Sequence, residues 1–202
     1  MNKAMFLKKT STFLICLVIF FSSIAKVNSI EPDIFVQSTV NRASEALNGK
    51  FSKEEKIKKL KQIASETVDI IGISFYTLGS YRKNISENEI KQYEILFEQY
   101  FLKSFSSRLA EYSNPEIEVL SKKKLNENYT MVSSILVGTE QRPEVKIDWR
   151  IYTKNPEIPL IRDLIIEGLS LVRTQKEEFS SIIQSNDGDI NALFSTLKEF
   201  IK

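Results

Sequence analysis

Residues 163–179 read DLIIEGLSLVRTQKEEF, and this stretch decides how the chain folds. Its first part is apolar on both faces, which is typical of a strand that is buried on two sides. The second part has helical spacing, and Ser170 is placed to cap that helix. Gly168 within the strand predicts a close approach of backbone or ligand. We therefore expect a buried strand that leads directly into a helix.

The first 29 residues differ in character from the rest of the chain. A lysine-rich start without acidic residues precedes a nine-residue apolar run at positions 13–21, and small residues follow it. This run is far shorter than the ~20 residues of a membrane-spanning helix. The pattern predicts a secretory signal peptide that is cleaved after Ala25 or Ser29, with a retained membrane anchor as the alternative. Residues 30–202 are then expected to form one exported domain.

Charge and composition exclude several classes of function. The chain has 28 basic and 26 acidic residues, and four of the lysines lie in the first 29 positions, so the remainder carries a net charge of −2. Nucleic acid is therefore a poor partner, because no excess of basic residues is left to replace phosphate counterions. The chain has no histidine, and its single cysteine, Cys16, lies in the signal segment. Thiol catalysis, histidine-based triads and zinc sites built on these residues are excluded.

Helical periodicity dominates the sequence before residue 115. Apolar residues at steps of three and four predict helices over residues 33–47, 52–78 and 86–109. Ser52 with Glu55 and Ser86 with Glu89 have the spacing of capping boxes, which mark the starts of the second and third helices.

Beyond residue 115 the period falls to two, which predicts strands over residues 116–123, 129–138, 144–152 and 158–169. Two further helices are expected over 171–184 and 189–201. The short spacers between the strands favour an antiparallel meander. The predicted fold class is therefore α+β: a curved antiparallel sheet of about four strands flanked by N- and C-terminal helices, enclosing an apolar cavity.

Candidate catalytic groups are few. The Ser-x-x-Lys spacing occurs at Ser121 and Ser195, but about two such matches are expected from this composition. Asp148, Asp163 and Glu167 are conceivable paired carboxylates, although Asp148 and Glu167 alternate with apolar residues and are expected to be solvated. We predict no catalytic residue, no metal site and no cofactor.

Aromatic residues form the remaining pattern. Tyr93, Phe97, Tyr100, Phe101 and Phe105 form a stripe along the third predicted helix. The sole tryptophan lies in a strand with one apolar face. Most of these side chains are expected in the core, but a helix of this kind across an open sheet can also enclose an apolar pocket.

Several segments together resemble the MlaC family, the periplasmic phospholipid-binding components of bacterial Mla lipid-transport systems, whose relatives include toluene-tolerance and hopanoid-associated proteins. The resemblance follows the order of elements along the whole exported chain, and the run DLIIEGLSLV is its most specific part. The matching segments are Leu78-Gly79-Ser80-Tyr81-Arg82, Ile147-Asp148-Trp149-Arg150, residues 163–172, Phe179, and Gly188 to Leu193 with Leu197.

The resemblance implies a lipid shuttle in the periplasm. Such a protein buries phospholipid acyl chains in an internal cavity and acts as a monomer. It exchanges lipid between an inner-membrane MCE-domain/ABC transporter complex and an outer-membrane lipoprotein complex, which maintains outer-membrane lipid asymmetry. The alternatives are a periplasmic protein-binding adaptor with a filled core and a carboxylate-dependent hydrolase.

Periodicity selects the candidate lipid-binding residues, which are those expected to face inward. The strand at 158–169 is apolar on both faces, so its wall is formed either by Leu164 and Ile166 or by Ile165 and Leu169. The candidates are Phe97, Phe101, Phe105, Met131, Ile135, Val145, Ile147, Trp149, Ile151, Leu164, Ile166 and Leu169.

Overall fold

A computed structural model describes residues 29–111, 115–140 and 142–202 of the chain. Residues 1–28 of the predicted signal segment, including the possible cleavage site after Ala25, lie outside the described residues. The helices are α1 (Pro32–Asn48), α2 (Lys53–Thr67), α3 (Ile70–Leu78), α4 (Glu87–Leu109), α5 (Leu171–Gln184) and α6 (Ile190–Ile201), with a 3₁₀ turn at Tyr81–Lys83. The strands are β1 (Ile117–Asn126), β2 (Tyr129–Leu136), β3 (Val145–Tyr152), β4 (Leu160–Ile166) and β5 (Leu169–Ser170).

The strands form one open antiparallel sheet in the order β1-β2-β3-β4-β5. This meander confirms the predicted α+β class. Both predicted capping boxes are present, at Ser52 and Ser86, and Ser170 caps α5 by accepting a hydrogen bond from the N–H of Arg173. Local capping chemistry therefore sets three of the helix starts.

The prediction of one continuous strand over 158–169 is wrong, because a two-residue turn separates β4 from β5. Glu167 and Gly168 both have positive φ, at 49° and 82°, which is the conformation of a type I′ hairpin turn. Gly168 is therefore needed for its backbone conformation. It does not serve a close approach, since no atom lies within 4 Å of where its Cβ would be.

The predicted continuous helix over 52–78 is also wrong, because the chain leaves helical conformation at Val68 and Asp69. Val68 forms a parallel bridge with Ile161 of β4, and the Asp69 N–H donates to the Ile161 carbonyl at 2.9 Å. The Asp69 carboxylate then accepts from the N–H of Gly72 at 2.9 Å and caps α3. Pairing with the sheet edge thus overrides an unbroken helical periodicity.

An ion pair fixes this junction. Arg162 is an extra residue in β4, where the register with β3 shifts, and its Nε lies 2.5 Å from Asp69 Oδ2. The same guanidinium donates to the hydroxyl of Tyr129 at 2.6 Å and lies 3.8 Å from the ring centroid of Tyr152. These contacts connect the start of α3 to three strands.

Aromatic side chains form a separate core among α4, α5 and α6. Tyr93 packs against Phe97, Phe179 and Phe194, with ring centroids 5.7–6.4 Å apart. The Tyr93 hydroxyl hydrogen-bonds to that of Thr77 at 2.8 Å, and burial raises the pKa of this tyrosine well above its usual range. Part of the predicted aromatic stripe therefore belongs to this helical core.

The substitution Gly72→Ala tests the junction. Glycine-to-alanine changes at compatible positions stabilise proteins by about 0.4–1 kcal/mol. At Gly72, however, a Cβ would lie 2.4 Å from Asp69 Oδ2 and 2.9 Å from Arg162 Nη2. We expect the free energy of unfolding in urea to fall by about 1–3 kcal/mol. Ser65→Ala, at an exposed position of α2, is the near-neutral control, and a stabilised Gly72→Ala protein would contradict this account of the junction.

Candidate functional site

An apolar cavity of about 280 Å³ lies between one face of the sheet and helices α1 to α5. Helix α1 contributes Val40, Ala43 and Leu47, and the second half of α4 contributes Phe101 and Phe105. Its few polar lining residues are Thr39, Ser44, Thr67, Arg142 and Asp163. The site is thus suited to an apolar ligand.

The wall formed by the sheet follows from strand register. In β3, alternate residues Ile147 and Trp149 point to the cavity, and they pair with Ile166 and Leu164 of β4. Residues paired across antiparallel strands lie on the same face. The wall of β4 is therefore formed by Leu164 and Ile166, which is one of the two predicted possibilities.

The sole tryptophan presents its ring to the cavity while its polar atom is satisfied elsewhere. Its indole N–H donates to the hydroxyl of Ser134 at 2.8 Å, and this serine bonds in turn to the Ile147 carbonyl at 3.1 Å. Trp149 is 8% exposed and Ser134 only 2% exposed. Because the N–H needs no further partner, the ring is free to contact an apolar ligand.

The structure places seven of the twelve candidate residues on the wall of this cavity. The other five lie elsewhere. Phe97 is in the helical aromatic core, Ile151 is fully buried on the cavity-facing side of β3 but does not line the cavity, and Leu169 is 60% exposed. Met131 and Ile135 lie on the opposite face of β2 from the lining residue Leu136. The seven lining candidates are Phe101, Phe105, Val145, Ile147, Trp149, Leu164 and Ile166. Contact with lipid remains a prediction for all twelve.

Sequence reasoning missed the contribution of the N-terminal helices. Val40, Ala43 and Leu47 fall on the apolar face of α1, and Ile63 of α2 joins them. Helical periodicity identifies this face as buried, but a buried face looks the same whether it packs against side chains or lines a cavity.

The three carboxylates considered for catalysis are engaged by different groups. Asp163, which is 3% exposed, accepts from the Ser170 hydroxyl at 2.6 Å and the Val172 N–H at 3.2 Å, at the N-terminus of α5. Asp148 accepts from the Ser133 hydroxyl, and Glu167 from the Lys146 N–H, each at 2.5 Å. Of the three, only Asp163 borders the cavity.

The described ranges contain neither a metal-binding cluster nor a membrane-spanning helix. No group of three or more histidine, cysteine, aspartate or glutamate side chains is placed to hold a metal ion there. In the same ranges, no helix combines the length and the apolar character needed to cross a membrane.

An open sheet, covering helices and an apolar volume between them define a class of cavity-bearing α+β proteins. The family model described as "MlaC protein" matches residues 37–199, and the chain belongs to this family. The predicted family resemblance is thereby confirmed.

Seven chains of known structure match the fold. One is the phospholipid-binding protein from Ralstonia solanacearum, solved in complex with a phospholipid, with a TM-score of 0.72 and 18% sequence identity. The match covers 85% of this chain and 97% of the other, so the two share their fold. A search among curated proteins found no match.

The bond between Ser134 and Trp149 is testable. Ser134→Ala leaves a buried indole N–H without its acceptor, so the free energy of unfolding should fall by about 1–3 kcal/mol. Chemical denaturation measures this loss. In a Trp149→Phe background, which has no indole N–H, the same substitution should cost much less, and an equal loss in both backgrounds would contradict this role of the serine.

Proposed function

We propose that the protein is a lipid carrier that binds phospholipid acyl chains in the apolar cavity behind Trp149. The main support for the proposal is this volume of about 280 Å³ between the sheet and the helices, which is lined almost entirely by apolar side chains. Membership of the MlaC family supports it, and so does the fold shared with a protein described as phospholipid-binding.

The energetics of acyl chains explain why a carrier needs such a cavity. Each methylene transferred from water into an apolar environment contributes roughly 0.8 kcal/mol, so two chains of ordinary length represent roughly 20 kcal/mol. A lipid leaving a membrane for water would lose this stabilisation. An apolar cavity wall restores part of it without any covalent step, so carriage requires no catalytic residue.

The cellular setting of the proposal follows from the predicted signal peptide and the family. Export places the protein in the periplasm. There it would act as a monomer and pass lipid between an inner-membrane MCE-domain/ABC transporter complex and an outer-membrane lipoprotein complex. Such transfer maintains the lipid asymmetry of the outer membrane.

The cavity favours a carrier over the two alternatives. A protein-binding adaptor has no use for an internal apolar volume, because it recognises its partner at the surface. A carboxylate-dependent hydrolase needs two carboxylates around its substrate, whereas within the described ranges Asp163 alone contributes a carboxylate to the cavity border.

Co-purified lipid provides the first test. Protein purified without detergent is extracted with organic solvent, and the extract is quantified by mass spectrometry against the protein concentration. We expect near-stoichiometric phospholipid. An extract without lipid from a folded, monodisperse sample would refute lipid carriage.

Filling the cavity provides a second test. Ala43 lines the cavity from α1, and Ala43→Phe adds a ring within the space proposed for acyl chains. We expect bound phospholipid to fall at least several-fold while the thermal unfolding transition stays cooperative. Ala192→Phe places the same ring at a half-buried position of α6 outside the cavity and should leave lipid content unchanged. Equal lipid in both variants would contradict the location of the site.

A further inference from the structure

The apolar cavity is smaller than the lipid proposed for it. An apolar cavity of about 150 Å³ holds one benzene molecule. The volume of about 280 Å³ between the sheet and the helices therefore holds about a dozen carbon atoms, twice the number in benzene. Two acyl chains of ordinary length carry roughly 25 methylenes, which is about twice that capacity. Burial of both chains therefore requires one wall of the cavity to move outward.

Directional bonds hold α1, α2, α3 and α5 to the sheet. At the start of α1, Asp33 accepts from the ammonium of Lys122 in β1 at 2.8 Å. Val68, which directly follows α2, forms a bridge with Ile161 of β4. The ion pair at the α3 junction holds α3, and the Asp163 carboxylate of β4 holds the first turn of α5. These four walls cannot leave the sheet without loss of a polar contact.

Helix α4 is bonded to other helices instead. The Tyr100 hydroxyl donates to Gln175 of α5 at 2.9 Å, and the Lys103 ammonium donates to the Ile201 carbonyl of α6 at 3.0 Å. The Tyr93 hydroxyl bonds to α3, as described above. Among the residues that the structure describes, no hydrogen bond or ion pair joins α4 to a strand. The position of α4 opposite the sheet therefore depends on apolar contacts.

The side of α4 that faces the cavity is apolar. Phe101 and Phe105 line the cavity, and their rings stack with centroids 5.6 Å apart. We call the boundary between Phe101, Phe105 and Leu109 of α4 and Val145 and Ile166 of the sheet the α4 seam. Apolar contacts are non-directional, and side chains that border an unfilled volume make fewer of them. The α4 seam can therefore open without breaking a hydrogen bond.

We propose that the cavity takes up a two-chain phospholipid by opening along the α4 seam, so that the second acyl chain lies against Phe101 and Phe105. Because α4 is bonded to α6, these two helices shift together while α1 and α3 stay with the sheet. The bound chains supply new apolar contacts, which offset those lost when α4 moves. The inference rests on the proposed lipid-carrier function and adds a moving wall to it.

The test measures the distance across the α4 seam with pairs of spin labels. In a Cys16→Ser background, which has no other cysteine, labels are attached at Arg108→Cys on α4 and Lys146→Cys on β3. Both positions are exposed and lie outside the cavity lining. Delipidated protein is compared with protein loaded from dioleoyl phosphatidylglycerol vesicles by pulsed electron double resonance, and bound lipid is quantified by mass spectrometry. We expect the distance to increase by more than about 2 Å, the scale of a rearrangement on binding.

A matched pair and a matched lipid serve as controls. Ser38→Cys on α1 is also exposed, and because α1 is bonded to β1 its distance to Lys146→Cys should change by less than about 1 Å. Oleoyl lysophosphatidylglycerol carries one chain and should widen the α4 seam less than the two-chain lipid. Gln99→Cys is a second exposed position on α4 and replaces Arg108→Cys if that variant does not fold.

Each remaining outcome has a defined meaning. A loaded protein with an unchanged distance from α4 to β3 overturns the proposal and leaves lipid carriage intact. Equal changes in both labelled pairs place the movement within the sheet and also overturn it. Equal widening by the one-chain and two-chain lipids contradicts the assignment of the α4 seam to a second chain. Absence of bound lipid from every sample refutes lipid carriage itself, and mass spectrometry distinguishes this result from the others.

Discussion

The structure depends on one constraint: the apolar face of an open sheet is covered by helices that do not fill the space above it. Cores of folded proteins are normally packed to crystal-like density, and an empty apolar volume costs about 24 cal/mol per Å³. For a cavity of about 280 Å³ this penalty amounts to several kcal/mol. The free energy lost to the void is recovered when an apolar ligand fills it, so the same feature that weakens the empty protein favours ligand binding.

Polar contacts hold the elements around the margin of the cavity in place. The Asp69–Arg162 ion pair holds α3 against the edge of β4, the Ser134 hydroxyl fixes the indole of Trp149, and Asp163 binds the first turn of α5. Each contact fixes a helix start or a ring that borders the cavity, since Ile73 of α3, Trp149 and Val172 of α5 all line it. The separate aromatic core packs α4, α5 and α6 against one another. Hydrogen bonds and an ion pair therefore lie at the margin of the cavity, while the cavity itself is lined mainly by apolar side chains.

The sequence predicts most of the fold but only part of the site. Alternation along β3 correctly places Ile147 and Trp149 on one face, because every second residue there is charged or polar. The same reasoning fails in β2, where Met131 and Ile135 on one face are as apolar as Val132 and Leu136 on the other. In β4 both faces are apolar, so the sequence cannot tell which face lines the cavity. The pairing of β4 with β3 decides it.

The two errors in the predicted elements share a physical origin. The helix break at Val68 and Asp69 comes from hydrogen bonding to Ile161, a residue more than 90 positions away in the chain, which no local pattern reveals. The turn at Glu167 and Gly168 requires a positive φ at a glutamate, a residue that rarely adopts this conformation. The spacing of apolar residues along the sequence reports neither long-range hydrogen bonds nor strained backbone conformations, so it could not predict either feature.

The most direct measurement uses Trp149 as a reporter, because it is the only tryptophan in the chain and lies on the cavity wall. Phospholipids brominated at successive positions of the acyl chain are loaded onto the protein, and the quenching of tryptophan fluorescence is recorded for each. The account predicts strong quenching with a maximum at particular chain positions, since the chains lie in contact with the indole ring. Bound brominated lipid that quenches Trp149 at no position would show that the acyl chains lie outside this cavity and would contradict the account.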